Sequence, residues 1–252
     1  DIIKLQQPIG EIQEELSFPF FFGFVPWGHH IDIITKCKDL DEALFYIRRT
    51  VAEDWSRNTL IHQIKANLYA KQGKAVTNFA EWLPEAQAVL AQEITKENYD
   101  FGFITLPANF DEKNLEDALC EQITRFLLEL GNGFSFVGRQ KEIVVDGVSR
   151  RIDMLFYHLR LHCYVVVELK ACRFQPEFAG KLNFYVNAVD DLLKTDIDRP
   201  TIGLLICSDM KQTEVKYSFL GLNTPIGVAK YDNVQIAEIA KQLPTVEQLQ
   251  ER

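Results

Sequence analysis

Long hydrophobic runs are missing from this sequence. No apolar stretch approaches the roughly 20 residues that a membrane-spanning helix needs, so no membrane partner is expected. The most aromatic stretch, residues 18–24, is short, is broken by Pro19 and Gly23, and lacks the basic flank and cleavage site of a signal peptide. Cysteine is sparse: the five are Cys37, Cys120, Cys163, Cys172 and Cys207, scattered and without a Cys-x-x-Cys pair. That pattern argues against a disulfide framework or a zinc site and fits reduced thiols in a cytoplasmic setting. No glycine-rich phosphate loop or nucleophile elbow is present, which leaves an NTPase or acyl hydrolase without support. Positive charge is also short. The formal net charge of −9 argues against a protein that coats nucleic acid non-specifically.

What is present is core-forming material. Of 252 residues, 47% are hydrophobic and 18 are Phe, enough for one large domain or two modest ones. Charge is uneven along the chain. Residues 1–100 hold 10 Lys/Arg against 15 Asp/Glu, whereas residues 139–181 hold eight against five, a local excess of +3. The chain opens on Asp1 rather than Met, and the expectation is a truncated or processed fragment.

The first part reads as short helices. Residues 9–16 are expected to form one, and the Phe-rich stretch after it a loop or extended segment. His29 and His30 are adjacent, so they do not converge on one metal; a helix start with hydrogen-bonded rings fits them better. Residues 39–53 show amphipathic helical spacing, with Asp39 or Asp41 as cap. Ser56 is expected to cap a helix running to about residue 72, where Gly73 ends it. Residues 79–93 supply a further helical pattern, with Pro84 near a helix start. Residues 99–109 read as a linker-like join, which places the boundary between a mainly helical domain (1–105) and a second domain (106–252).

In the second domain Asp111 opens an amphipathic helix to residue 130, stopped by Gly131 and Gly133. Strands follow over residues 134–145 and 149–157, joined by the hairpin signal Asp146-Gly147, and a third ends at Lys170. A helix is expected over 177–193, strands over 201–207 and 226–230, and a polar helical tail over 238–252. The order is α-β-β-β-α-β, a mixed α/β (α+β) arrangement. It starts antiparallel, and the crossover helix allows a parallel fourth strand.

Three charges interrupt the otherwise apolar stretches 152–157 and 163–170 of the second and third strands: Asp153, Glu168 and Lys170. Residues two apart on a strand share a face, so Glu168 and Lys170 point the same way. Burying them costs roughly several kcal/mol unless they are paired or hold a metal. A structural ion pair and a metal-dependent phosphodiesterase site both answer that cost, and the local pattern leaves both open. Hard carboxylate ligands suit Mg²⁺, which takes one or two of them along with water and phosphate oxygens.

The element order, with Asp153 on the second strand and Glu168-x-Lys170 on the third, resembles the restriction-endonuclease-like core of the PD-(D/E)XK nucleases. Phe134-Ser-Phe-Val-Gly-Arg139-Gln140, Arg151-Ile-Asp153-Met-Leu-Phe-Tyr-His158, Tyr164-Val-Val-Val-Glu168-Leu-Lys170, Phe178-Ala-Gly180-Lys181-Leu-Asn-Phe-Tyr185 and Pro225-Ile-Gly-Val-Ala-Lys230-Tyr231 are together similar to the YhcG-type branch. Trp27-Gly28-His29 and Glu53-Asp54-Trp55-Ser56 are similar to its amino-terminal helical domain, which usually starts further upstream. The resemblance implies Mg²⁺- or Mn²⁺-dependent cleavage of DNA, and the sequence leaves RNA open as a substrate. It implies that Asp153 and Glu168 hold the metal, with the Leu169 carbonyl as a further ligand, and that Lys170 positions the water. Glu116 would complete the metal shell or orient its water. Arg139, Gln140, Lys181 and Tyr185 are candidate contacts to the nucleic acid; a solvated lysine and a core tyrosine are the plainer readings of the last two. A homodimer and a restriction or recombination assembly are the expected partners. Competing expectations are a binding module of the same fold without catalysis, and a protein that docks through its aromatic amino-terminal region.

Overall fold

A computed structural model describes residues 20–236 apart from 66, 72 and 233. The helices expected over 9–16 and 238–252 lie outside the described residues. Contacts divide the chain into two compact units, residues 1–70 and 71–252.

The first unit is helical. A 3₁₀ turn, Phe20–Phe24, takes the place of the expected loop and precedes α1 (Trp27–Lys36), α2 (Leu40–Glu53), α3 (Arg57–Lys65) and α4 (Leu68–Lys71). Asp39 caps α2 by accepting the Glu42 N–H at 2.8 Å. The single helix expected from Ser56 to residue 72 breaks in two where Asn67 enters the left-handed region at φ 55°. Ile33, Tyr46, Ile47, Trp55 and Leu60 form the core. His29 Nε2 bonds the Trp55 carbonyl at 2.9 Å and His30 Nε2 the Phe22 carbonyl at 3.1 Å. Both rings therefore serve the fold, as the sequence suggests.

In the second unit come β1 (Val76–Thr77), α5 (Phe79–Trp82), α6 (Glu85–Ile94), β2 (Asn98–Asp100) and β3 (Thr105–Leu106). Then follow α7 (Glu112–Glu121), α8 (Ile123–Leu130), β4 (Phe134–Val145), β5 (Val148–His158) and β6 (Cys163–Leu169). The last elements are α9 (Pro176–Leu192), β7 (Ile202–Cys207), α10 (Gln212–Phe219), β8 (Ile226–Asp232) and β9 (Gln235–Ile236). A mixed sheet runs β1-β8-β7-β6-β5-β4, with β2 also pairing β8 and a separate β3-β9 pair. The β4-β5-β6 meander is antiparallel, and β6-β7-β8 are parallel, the arrangement expected for a crossover through α9. Asp146 and Gly147 turn the first hairpin with φ of 50° and 76°, the signature of a tight primed turn.

The division after Ala70 lies earlier than the join read at residue 106. The reason is that β1 and β2 both pair with β8, so residues 71–105 build the sheet unit. The stretch taken for a linker is core: Phe101 is buried, with its ring 5.3 Å from that of Tyr231 and 5.6 Å from that of Phe126. The single helix expected over 111–130 is two, parted at Gln122. Its start is as read, for Asp111 and Asn114 form a reciprocal capping box.

Two apolar layers sandwich the sheet. Val165, Val167 and Leu169 of β6 face Leu115, Leu119 and Phe126 of α7 and α8, while Val166 faces Leu182, Tyr185 and Val186 of α9. Gly203 of β7 lets α9 approach; a Cβ there would lie 2.9 Å from Leu182 Cγ and Val186 Cγ2. No helix among the described residues is long and apolar enough to cross a membrane.

Candidate active site

The site begins where two strands part. The β5-β6 ladder ends at Met154↔Val167, while β6 continues along β7 to Leu169↔Ile206. Beyond that point the Leu169 N–H donates to Asp153 Oδ2 at 3.0 Å, a side chain standing in for the missing strand partner. Gln140 stands opposite Asp153, between the Arg139↔Met154 and Lys141↔Ile152 pairs, and has φ of 46°; the register shift of this hairpin falls earlier, between Phe136 and Gly138.

Glu168, next but one from Val166 on β6, points toward α9 and is fully buried. Its Oε1 accepts from Lys170 Nζ at 3.1 Å and from Lys181 Nζ in a shorter contact. Its Oε2 is buried and has no hydrogen-bond partner among the described residues. Lys170 Nζ also donates to the Leu169 carbonyl at 3.0 Å and lies 5.2 Å from the centre of the Phe178 ring. Burial, then the charge of Glu168, raises the Asp153 carboxyl to about 6, against the downward pull of the Leu169 N–H, Lys170 and Lys181. Burial opposes the charge on Lys181, but Glu168 outweighs it and holds that ammonium above the usual lysine range.

Glu116, buried on α7, stands beside this group. Gln140 Nε2 donates to its Oε2, and Arg139 Nε lies 3.5 Å from its Oε1. Burial raises its carboxyl above the usual range despite those partners. Arg139 also pairs with Asp117 at 2.8 Å. Arg139 and Gln140, read as contacts to the nucleic acid, thus both reach Glu116, and the Arg139 side chain is 44% exposed. Tyr185, read the same way, is buried in the α9 core, and Lys181 Nζ lies 5.3 Å from the centre of its ring. Sequence reasoning missed the Lys181–Glu168 pair, because 13 residues and a change of element separate the partners.

The donor set suits a hard cation held by few protein ligands. Among the described residues Glu168 Oε2 has no donor, and Asp153 stands at the same strand opening, bonded to the Leu169 N–H. Unpartnered buried carboxylate oxygen is costly, and a cation satisfies it. Among the described residues no three His, Cys, Asp or Glu gather as a metal cluster. Two carboxylates are enough for Mg²⁺, which keeps its waters, but not for a tetrahedral zinc centre.

Residues 92–250 match the YhcG PDDEXK nuclease domain, and residues 4–71 the DUF1016 N-terminal domain. A curated Escherichia coli (strain K12) protein named "Putative nuclease YhcG" is 30% identical over 227 residues, covering 89% of this chain and 60% of that protein. The chain thus spans 60% of the length of that relative. Two solved structures overlap it in part. One, a repair endonuclease from Pyrococcus abyssi, has 14% identity and a TM-score of 0.33, covering 50% of this chain and 48% of the other. The other, an EndoMS–dsDNA2 complex, has 17% identity and a TM-score of 0.33, covering 47% and 44%. Overlap that slight carries no argument about function.

Proposed function

Because the chain belongs to the YhcG-type PD-(D/E)XK nuclease family, we propose that it is a divalent-metal-dependent deoxyribonuclease cutting within DNA strands. The observation that carries the proposal is the buried Glu168, with an unpartnered oxygen, beside Asp153 and Lys170 at the point where β5 and β6 separate. In this reading Asp153 and Glu168 hold Mg²⁺ or Mn²⁺, and the Leu169 carbonyl is a further ligand. When bound, the ion supplies charge neutralisation at the phosphate and a more acidic water.

The chain's own groups do the rest. Lys170, tied to Glu168 and to the Leu169 carbonyl, orients the attacking water and offsets negative charge as it develops on the phosphate. Its packing against Phe178 restricts it before substrate arrives, the preorganisation that hydrolysis in line with the phosphorus requires. Glu116, held by Gln140 and Arg139, completes the metal shell or orients its water. Lys181 supplies charge toward the sugar-phosphate backbone. Cutting both strands of a duplex takes two sites, which favours a homodimer, and the free thiols fit a reducing, cytoplasmic setting.

The test is incubation with supercoiled, linear, single-stranded and four-way-junction DNA, and with RNA, in Mg²⁺, Mn²⁺ or EDTA. Cutting of DNA that EDTA abolishes is the expected result. No cutting in either metal, with no Mn²⁺ bound by calorimetry, would leave a binding module of the same fold as the better reading.

A further inference from the structure

Lys170 and Lys181 both donate to one oxygen, Glu168 Oε1. With Asp153 alongside, the cluster holds two carboxylates and two ammoniums and is neutral without any cation. A divalent ion added to it would leave two positive charges in excess around a fully buried carboxylate, an arrangement that low-dielectric surroundings penalise. One ammonium must give way, and the two are not equivalent. The Lys170 side chain is 8% exposed and also donates to the Leu169 carbonyl, whose second lone pair stays open to a cation. The Lys181 side chain is 44% exposed, and Glu168 is the acceptor that holds it in the cluster. It reaches in from α9, a different element from the strand that carries Glu168 and ends just before Lys170.

Building on the metal-site reading above, we propose that Lys181 is a displaceable counter-ion. It neutralises Glu168 in the metal-free protein, releases it as the cation binds, and is then free to pair with a phosphodiester of the substrate. Lys181 thereby competes with the metal when DNA is absent and ceases to compete when a phosphate takes its charge. By linkage, metal and DNA each strengthen the binding of the other through this one side chain. The device would keep the site from holding metal tightly until substrate is present.

The test is calorimetric titration of Mn²⁺ into the wild-type chain, Lys181→Met and Lys181→Gln, without DNA. Methionine keeps the length of the stem and removes the charge, so Lys181→Met should bind Mn²⁺ about tenfold more tightly than wild type, within the usual range of coupling between sites. Unchanged or weaker binding by a folded Lys181→Met protein overturns the inference, while Mn²⁺ binding by the wild type leaves the nuclease reading standing. Binding by none of the proteins overturns both. Loss of the fold in both variants, read by circular dichroism, makes Lys181 a structural ion-pair partner and also overturns the inference.

Discussion

Replacing Asp153 by Asn should stabilise the metal-free protein. The Asp153 carboxyl is raised from 3.8 to about 6, by burial first and Glu168 second. A carboxyl whose folded pKa is raised favours folding below its unfolded pKa. That contribution is lost as pH rises through the folded value, here between about pH 4 and 6. A rise of this size corresponds to about 2–3 kcal/mol of lost stability at pH 7. Asparagine keeps an oxygen for the Leu169 N–H, which now donates to Asp153 Oδ2 at 3.0 Å, and removes the charge. With EDTA at pH 7, Asp153→Asn should therefore melt higher than wild type by roughly 4–12 °C, taking about 2–4 °C per kcal/mol for a unit of this size. At pH 4, where the wild-type carboxyl is protonated, the gap should close. Adding Mn²⁺ at pH 7 should raise the melting temperature of the wild type alone. The assay is scanning calorimetry across that pH range. A variant less stable than wild type at pH 7, or a gap that does not change with pH, would refute the reasoning.

Other perturbations test the frame that holds the site. Gly203→Ala would press a methyl against Leu182 and Val186 at 2.9 Å and should cost about 1–3 kcal/mol in denaturant unfolding, with α9 displaced from β7. Phe101→Ala should cost about 3–5 kcal/mol, as for a core aromatic; a change near zero would restore the linker reading of that stretch. Burial lowers the His158 imidazole to about 4, so an NMR titration should find it neutral at pH 6, and stability should fall as acid drives pH from about 6.5 toward 4.

The parts of this fold that can be read from sequence are those whose periodicity runs long enough. The strands β4, β5 and β6 and the turn at Asp146-Gly147 combine β-branched runs with a strong hairpin signal. The two- and three-residue strands β1, β2, β3 and β9 are too short for any period to show. The helix α10 buries only Val215 and Phe219, which gives it no legible stripe. Gly102 and Pro107 made residues 99–109 look like a join, because nothing local announces that Phe101 stacks on an aromatic ring near the far end of the chain. The site divides in the same way. Glu168 and Lys170 stand out because charge in an apolar strand needs a reason. That Lys181 shares the Glu168 oxygen, or that Gln140 and Arg139 turn to Glu116, depends on how the elements pack.

The central claim is that Asp153, Glu168 and Lys170 form a hydrolytic metal site, and Lys170→Met tests it most directly. Single-turnover DNA cleavage and Mn²⁺ affinity would be measured on the same preparation of variant and wild type. The account predicts that the variant still binds Mn²⁺ while its cleavage rate falls by about 10²–10³-fold, the usual effect of removing one preorganised charge stabiliser. A variant that binds Mn²⁺ and cuts DNA as fast as wild type would contradict it.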